Sequence, residues 1–444
     1  MINLLRQRIL NNLDTIVSLI GFVTLICVAF LVYYKGIHEI YFVAILIGTI
    51  CVAFYFTYGY KIEINKTQIF NSSWQVYLCL FAICLVSLSQ PWYVNLKFPN
   101  SLIGLDTWTH MRITSQELDI ALSQQPNEYG IHALDISSIG GYFNLMHLYL
   151  RSIMSITGLS YKWTSLIFWG SFQAIGTVIF TYLIGKELVS KNTGLLAAFL
   201  SSIASWVVFF NEWNIPNSSG AVLCLATAYI ILKSYKTKKN WLLWFVLFPL
   251  ALSVLTHLIA AAWVIGIILC LGILLIERKT ASYIILIAAI LIIGSWYGIS
   301  TVLTAAKDVS NIMQTIPSFG QSNLLPEPYM QTIQTIPHAQ NELPAQDVSA
   351  QDVLNNGSLT ELIIDSLGMF LYIGLAVIGI LIMLRSTGGN KAWAILCSGT
   401  LAIGFILPLL GFSILKERWW YLSEVLVSIP LAIFLLGVLK TKCE

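Results

Sequence analysis

Charged side chains are scarce in this sequence: Asp, Glu, Lys and Arg supply 10% of its 444 residues, against about 25% in soluble domains. Its 24 basic and 21 acidic residues cannot make a water-facing surface for a chain of this length. That excludes the roughly two to four soluble domains the length would otherwise suggest. A net charge of +3 gives no footprint for nucleic acid. The eight cysteines show no CxxC spacing, and seven of them lie inside apolar runs, so neither a disulfide framework nor a zinc ribbon is expected. A secretory leader is not expected either, because the first apolar run, 15–34, is longer than a signal core and no small-residue cleavage site follows it. There is no Gly-rich phosphate loop for a soluble nucleotide. The inverted internal repeat of many transporters is also missing.

What is abundant is apolar, at 57% of the residues. A bilayer core about 30 Å thick takes about 20 residues of helix. Uncharged runs of that size lie at 15–34, 40–60, near 75–94, 163–185, 192–211, 213–232, 280–306, 366–384, 392–415 and 419–439. The run 240–276 has 37 residues, about 55 Å as one helix and too long for one crossing. It must turn, and Thr256-His257 is its only polar break. The sequence therefore predicts an all-α polytopic membrane protein with about twelve transmembrane helices. Placing both termini in the cytoplasm puts 16 of the 24 Lys and Arg residues on the inner side, as the positive-inside rule requires. The loops 95–161 and 307–365 then face outside and hold 12 of the 21 acidic residues. All six histidines fall on that side too. Residues 141–157 are short, apolar and carry His147 and Arg151, which predicts an amphipathic helix lying in the outer interface.

The first loop opens with Gly104-Leu105-Asp106-Thr107-Trp108-Thr109-His110-Met111-Arg112. On a helix Asp106 and His110 would share a face, and such a pair suits a metal or a general base. The plainer alternative is an interfacial helix start with Asp106 as cap and Trp108 as anchor. Glu212 lies between two spans with no basic neighbour. It is either a functional carboxylate at membrane depth or a solvated turn residue. His257 is either a turn histidine bonded to backbone or a donor to a phosphate oxygen. Arg418, ahead of Trp419-Trp420-Tyr421, is either a snorkelling side chain in an aromatic belt or a guanidinium fork for a lipid phosphate. Glu424 could orient or neutralise Arg418.

The Asp106, Trp108, His110, Arg112 series resembles the D-x-W/F-x-H-x-R motif in the first outer loop of the GT-C integral-membrane glycosyltransferases. The closest likeness is to archaeal oligosaccharyltransferase-like and other polyprenyl-phosphate-sugar-dependent enzymes. Gly158-Leu159-Ser160 resembles that family's turn into the next span. Gly185-Lys186-Glu187-Leu188 resembles its cytoplasmic corner, Leu195 to Ser205 the helix after it, and Arg418-Trp419 the start of a late helix. The likeness covers roughly 75–444, so residues 1–66 are expected to be a two-helix extension of a core at 67–444.

The resemblance implies a transferase that takes a sugar from a polyprenyl-phosphate-linked donor to an extracytoplasmic glycan or lipid acceptor in the cell membrane. It makes Asp106, His110 and Glu212 the catalytic candidates. Arg112, His257, Arg418 and Trp419 become the substrate-binding ones. Asp106 and Glu212 would be the ligands of a divalent ion, Mg or Mn, where one takes part. The oligosaccharyltransferase signature W-W-D-Y-G is absent, and the sequence stops at Glu444 without a soluble domain. Transfer to protein asparagine is therefore expected less than transfer to a lipid-linked or surface glycan. The competing expectation is a multi-pass transporter or lipid-glycan flippase, hinted at by Gln173 and Pro249 inside apolar runs.

Overall fold

The computed structural model describes residues 72–97, 145–213, 216–276, 359–406 and 416–441, together with Gly48, Ile64, His110, Met111 and Thr114. The expected spans 15–34, 40–60 and 280–306 lie outside the described residues, as do Asp106, Arg112 and most of the two long loops.

The described chain is helical, with no strand among the described residues. The helices are α1 (Ser73–Lys97), α2 (Leu145–Thr157), α3 (Tyr161–Leu188), α4 (Lys191–Ser202), α5 (Ser205–Trp213), α6 (Pro216–Thr237), α7 (Asn240–Thr256), α8 (Leu258–Leu275), α9 (Leu359–Leu384), α10 (Gly389–Leu401) and α11 (Lys416–Thr441). Four stretches among the described residues are long and apolar enough to cross a membrane: α1, α3, Ser218–Thr237 of α6 and Arg418–Leu439 of α11. The pair α4 and α5 makes a fifth when counted as one broken span.

That pair corrects the uninterrupted span expected at 192–211. The chain bends by 62° between α4 and α5, with no proline or glycine at the break. Length and composition do not reveal such a bend. The split of 240–276 falls where its length requires it: α7 ends at Thr256, His257 is extended, and α8 begins at Leu258. Each half falls short of the length that marks a crossing by itself. The segment expected to lie in the interface is a helix over Leu145–Thr157. Gly158 follows it with a φ of +69°, a left-handed turn that favours glycine and leads into α3.

Close backbone approach holds the bundle together. Serine 190 starts α4, its Oγ accepting the Thr193 N–H at 3.2 Å. Gly185 and Gly194 let α3 and α4 touch, and a Cβ on Gly194 would strike the Tyr182 carbonyl. The far ends of α3 and α6 are tied by Glu187 and Lys233 at 2.6 Å.

Helix α11 runs through the core, and Tyr421 to Phe434 are all buried. Pro430 interrupts it. A proline has no N–H for the carbonyl four residues earlier, which here is Leu426. Two side chains of α10 replace the missing donor: Trp393 Nε1 donates to the Leu426 carbonyl at 3.2 Å, and Cys397 Sγ reaches it at 3.5 Å. On the other side of the same kink, a Cβ on Gly379 of α9 would collide with the Pro430 carbonyl.

Trp393→Phe removes that donor and leaves a buried carbonyl short of a partner, so it should cost about 1–3 kcal/mol of stability. Pro430→Ala restores the helix's own N–H. Thermal unfolding in detergent should therefore show Trp393→Phe costing less in the Pro430→Ala background than alone. Equal costs would contradict the replacement.

Candidate functional site at the start of helix α8

The break between α7 and α8 needs an acceptor, because the first amides of a helix have no partner within it. His257 supplies one. Its backbone is extended, with φ −166° and ψ 137°, and its Nδ1 accepts the Ile259 N–H at 3.1 Å. A neutral imidazole that accepts at Nδ1 carries its proton at Nε2. The ring therefore caps the helix with one nitrogen and keeps an N–H for another partner.

Three forces act on that ring. Burial lowers its pKa first, the positive charge of Arg418 adds to the effect, and His110 adds a little more; together they bring it to about 4. His257 is thus a neutral donor at pH 7, beside a guanidinium from the start of α11. The amino end of the 18-residue α8 adds partial positive charge at the same place.

His110 belongs to the first-loop motif and is half-buried. Its Nδ1 lies 2.9 Å from His147 Nε2 on α2, with ring centroids 5.1 Å apart. One imidazole donates and the other accepts. His147 is fully buried, and its helix neighbours Met146 and Leu150 pack in an apolar cluster with Tyr161 and Trp169. Burial, then the charge of His110, pushes its pKa down to about 3. A neutral His147 therefore anchors His110, and Thr114 Oγ1 bonds the His110 carbonyl at 2.7 Å.

Of the residues singled out from the sequence, Arg418 and His110 lie within electrostatic reach of His257 and help to lower its pKa. Trp419 is half-buried and packs on Trp263 of α8, ring centroids 6.1 Å apart. Glu212 sits in the last turn of α5, its side chain outside the described residues, and Asp106 and Arg112 lie outside them altogether. Glu424 does not serve Arg418. Six positions along a helix place it about 240° round and about 9 Å away, and its carboxylate binds α5 instead, accepting from Ser205 Oγ at 2.9 Å and Trp206 N–H at 2.8 Å.

Sequence reading passed over His147 as a partner for the motif, since the two imidazoles are 37 positions apart. The signal available was a histidine in the first turn of a short amphipathic helix. It also passed over Asn211, whose side chain is fully buried with neither amide atom partnered among the described residues.

An apolar cavity of about 290 Å³ is walled by Leu145 and Tyr149 of α2, Trp169 and Phe172 of α3, Leu223 of α6 and Thr256 of α7. Thr256, one of its lining residues, directly precedes His257 in the chain. The described donors do not make a metal site: among the described residues no three His, Cys, Asp or Glu side chains group together. His110 and His147 are bonded to one another. A guanidinium and neutral imidazole N–H groups suit an anion.

No protein-family model matches the chain, and no curated protein matches it in sequence. Among solved structures it is similar to the oligosaccharyltransferase of Archaeoglobus fulgidus in the apo form, at 15% identity and a TM-score of 0.48, over 84% of this chain and 52% of that one. It is similar to the archaeal oligosaccharyltransferase AglB of the same organism in complex with an inhibitory peptide and a dolichol-phosphate, at 15% identity and a TM-score of 0.45, over 84% and 51%. The same oligosaccharyltransferase in complex with Zn and sulfate matches at 13% identity and a TM-score of 0.44, over 82% and 49%. The chain spans about half the length of these structures.

The lowered pKa of His257 makes stability depend on pH in a fixed direction. The unfolded ring takes a proton near pH 6.5, while the folded one does not until about pH 4. Unfolding therefore gains protons in that window, and stability falls as pH drops through it, by on the order of 2 kcal/mol from this group. His257→Asn keeps a capping oxygen and removes the titration. Thermal unfolding between pH 7.5 and pH 4.5 should show a flatter profile for His257→Asn than for the wild type. Parallel profiles would contradict it.

Proposed function

We propose that the chain is a membrane glycosyltransferase. On this reading it moves a sugar from a polyprenyl-phosphate-linked donor to an extracytoplasmic acceptor, a lipid-linked or surface glycan. The observation that carries the reading is the convergence of Arg418 and His257 at the start of α8, with His110 of the acidic motif bonded into the same neighbourhood. These groups match what a lipid phosphate needs from a protein. The guanidinium offers a charged fork, the Nε2–H of His257 a neutral donor, and the apolar cavity lined in part by Thr256 a place for hydrocarbon.

The chemistry follows from that placement. An acceptor hydroxyl attacks the anomeric carbon of the donor sugar while the bond from that carbon to the phosphate oxygen breaks. The phosphate leaves with the electron pair, and Arg418 and His257 offset the charge that develops on it. The hydroxyl proton passes to Asp106 as general base. Asp106 is four residues before His110 in the sequence, and the His110–His147 bond anchors that part of the loop. Arg112 and Trp419 contribute to substrate binding, and Glu212 is the second carboxylate of the site. Asp106 and Glu212 are the two groups available to a divalent ion, Mg or Mn.

The domain reading assigns 1–66 to a membrane extension and 67–444 to the catalytic core. Both termini lie in the cytoplasm and the His257 end of the bundle faces outward.

A flippase would use the 62° break between α4 and α5 as an open helix end for an ion. In this bundle the first amides of α5 are already taken by Glu424, which favours the transferase.

Transfer of labelled sugar from a polyprenyl-phosphate donor, measured in proteoliposomes, tests the reading. Asp106→Ala should abolish transfer while inserting normally, and Arg418→Ala should lower it about 100- to 1000-fold. Full activity of Asp106→Ala, or lipid flux with no sugar transferred, would overturn it.

A further inference from the structure

We propose that Glu424 is a positioning residue that sets α5, and with it the Glu212 end of that helix, against the Arg418 end of α11. This role rests on the glycosyltransferase reading and adds a residue to it.

Glu424 has no exposed surface and lies inside a span, about two turns from its start at Arg418. A carboxylate in that position is costly unless its oxygens are occupied. They are occupied by one feature, the amino end of α5. Ser205 Oγ donates at 2.9 Å and the Trp206 N–H at 2.8 Å, and the Val207 N–H also bonds the carboxylate. These are the opening residues of α5, whose amides have no helical acceptors. The partner that caps α5 therefore comes from a different helix, 218 positions away from Trp206. No local residue at the bend supplies it, since Ala204 precedes Ser205.

The remaining contacts of α5 fix what this cap controls. Trp206 stacks near Trp420 of α11, ring centroids 5.4 Å apart, and its Nε1 bonds Met369 Sδ of α9. Further along α5, the Phe210 carbonyl accepts from Ser218 Oγ at 3.0 Å, and the Ser218 carbonyl accepts from Tyr421 of α11 at 3.1 Å. Helix α11 thus holds α5 near both of its ends, while its own first turn brings Arg418 to His257. One rigid helix carries the group that would hold the donor phosphate and the group that locates the Asn211-Glu212 turn. If α5 shifts, Glu212 moves relative to Arg418 without any change in Arg418 itself.

Glu424→Gln replaces an oxygen that accepts backbone amides with an NH₂ that cannot. Donor binding through Arg418 should persist while the alignment of the reacting groups is lost. A displacement near 1 Å can cost about 100-fold, so Glu424→Gln in the full chain should lower kcat about 10- to 100-fold. KM for the lipid-phosphate donor should stay within about twofold, since the Arg418 interaction is unchanged. Ser205→Ala removes one of the bonds and should lower kcat by less. Combined with Glu424→Gln it should add nothing, because both changes break the same link. A merely structural loss would reduce the folded amount in the membrane and leave kcat per folded molecule alone. Should Glu424→Gln fail to accumulate, the kcat of Ser205→Ala decides. Wild-type kcat in these variants, or a loss confined to donor KM, overturns the role of Glu424 while leaving the transferase reading in place. A wild-type chain that transfers no sugar, assayed alongside, would overturn both.

Discussion

A helix that begins away from water must find acceptors for its first amides within the protein. Two helix starts among the described residues show how this bundle meets that constraint. His257 caps α8 with a ring nitrogen from its own chain position. Glu424 caps α5 with a carboxylate brought from another helix. Both starts are breaks in stretches that would otherwise continue as helix. A break exposes backbone dipoles and brings polar side chains to answer them, and in an apolar bundle those side chains become the most reactive groups available. The candidate site is built from what helix interruption demands.

The protonation of the site follows from the same arrangement. His257 and His147 are held neutral mainly by burial, and at His257 the charge of Arg418 adds to it. Arg418 remains the cation. A neutral imidazole beside a guanidinium can donate to an anion without adding a second full charge to desolvate. When the anion leaves, nothing more than one Arg needs to be kept in place. The cost of an empty site is then modest, which suits the release of an anion that the proposed function requires.

How much of this was legible in the sequence depends on whether the cause was local. The break at Thr256-His257 can be read from length, since 37 uncharged residues exceed what one crossing accepts. The turn at Gly158 can be read from a glycine after a short amphipathic run, and it has the positive φ that such a position requires. The bend between α4 and α5 could not be read, because nothing at Ile203 or Ala204 breaks a helix and the carboxylate that caps α5 is Glu424. The same distance hides the His110–His147 bond. It hides the repair of Pro430 as well: a proline announces a missing N–H, but not that Trp393 will provide the donor. Proximity in sequence suggested that Glu424 serves Arg418, and helical geometry sends it to the other side. Asp106, Arg112 and the Glu212 side chain stand on the motif alone, as the described residues do not include them.

The central claim is that Arg418 and His257 form a site for the phosphate of a lipid. Equilibrium binding of a short-chain polyprenyl phosphate, set against the corresponding alcohol with the same chain, measures it most directly. The account predicts that the phosphate binds at least about tenfold more tightly than the alcohol and that Arg418→Ala removes this preference. Equal binding of phosphate and alcohol to the wild type, or an undiminished preference in Arg418→Ala, would contradict it.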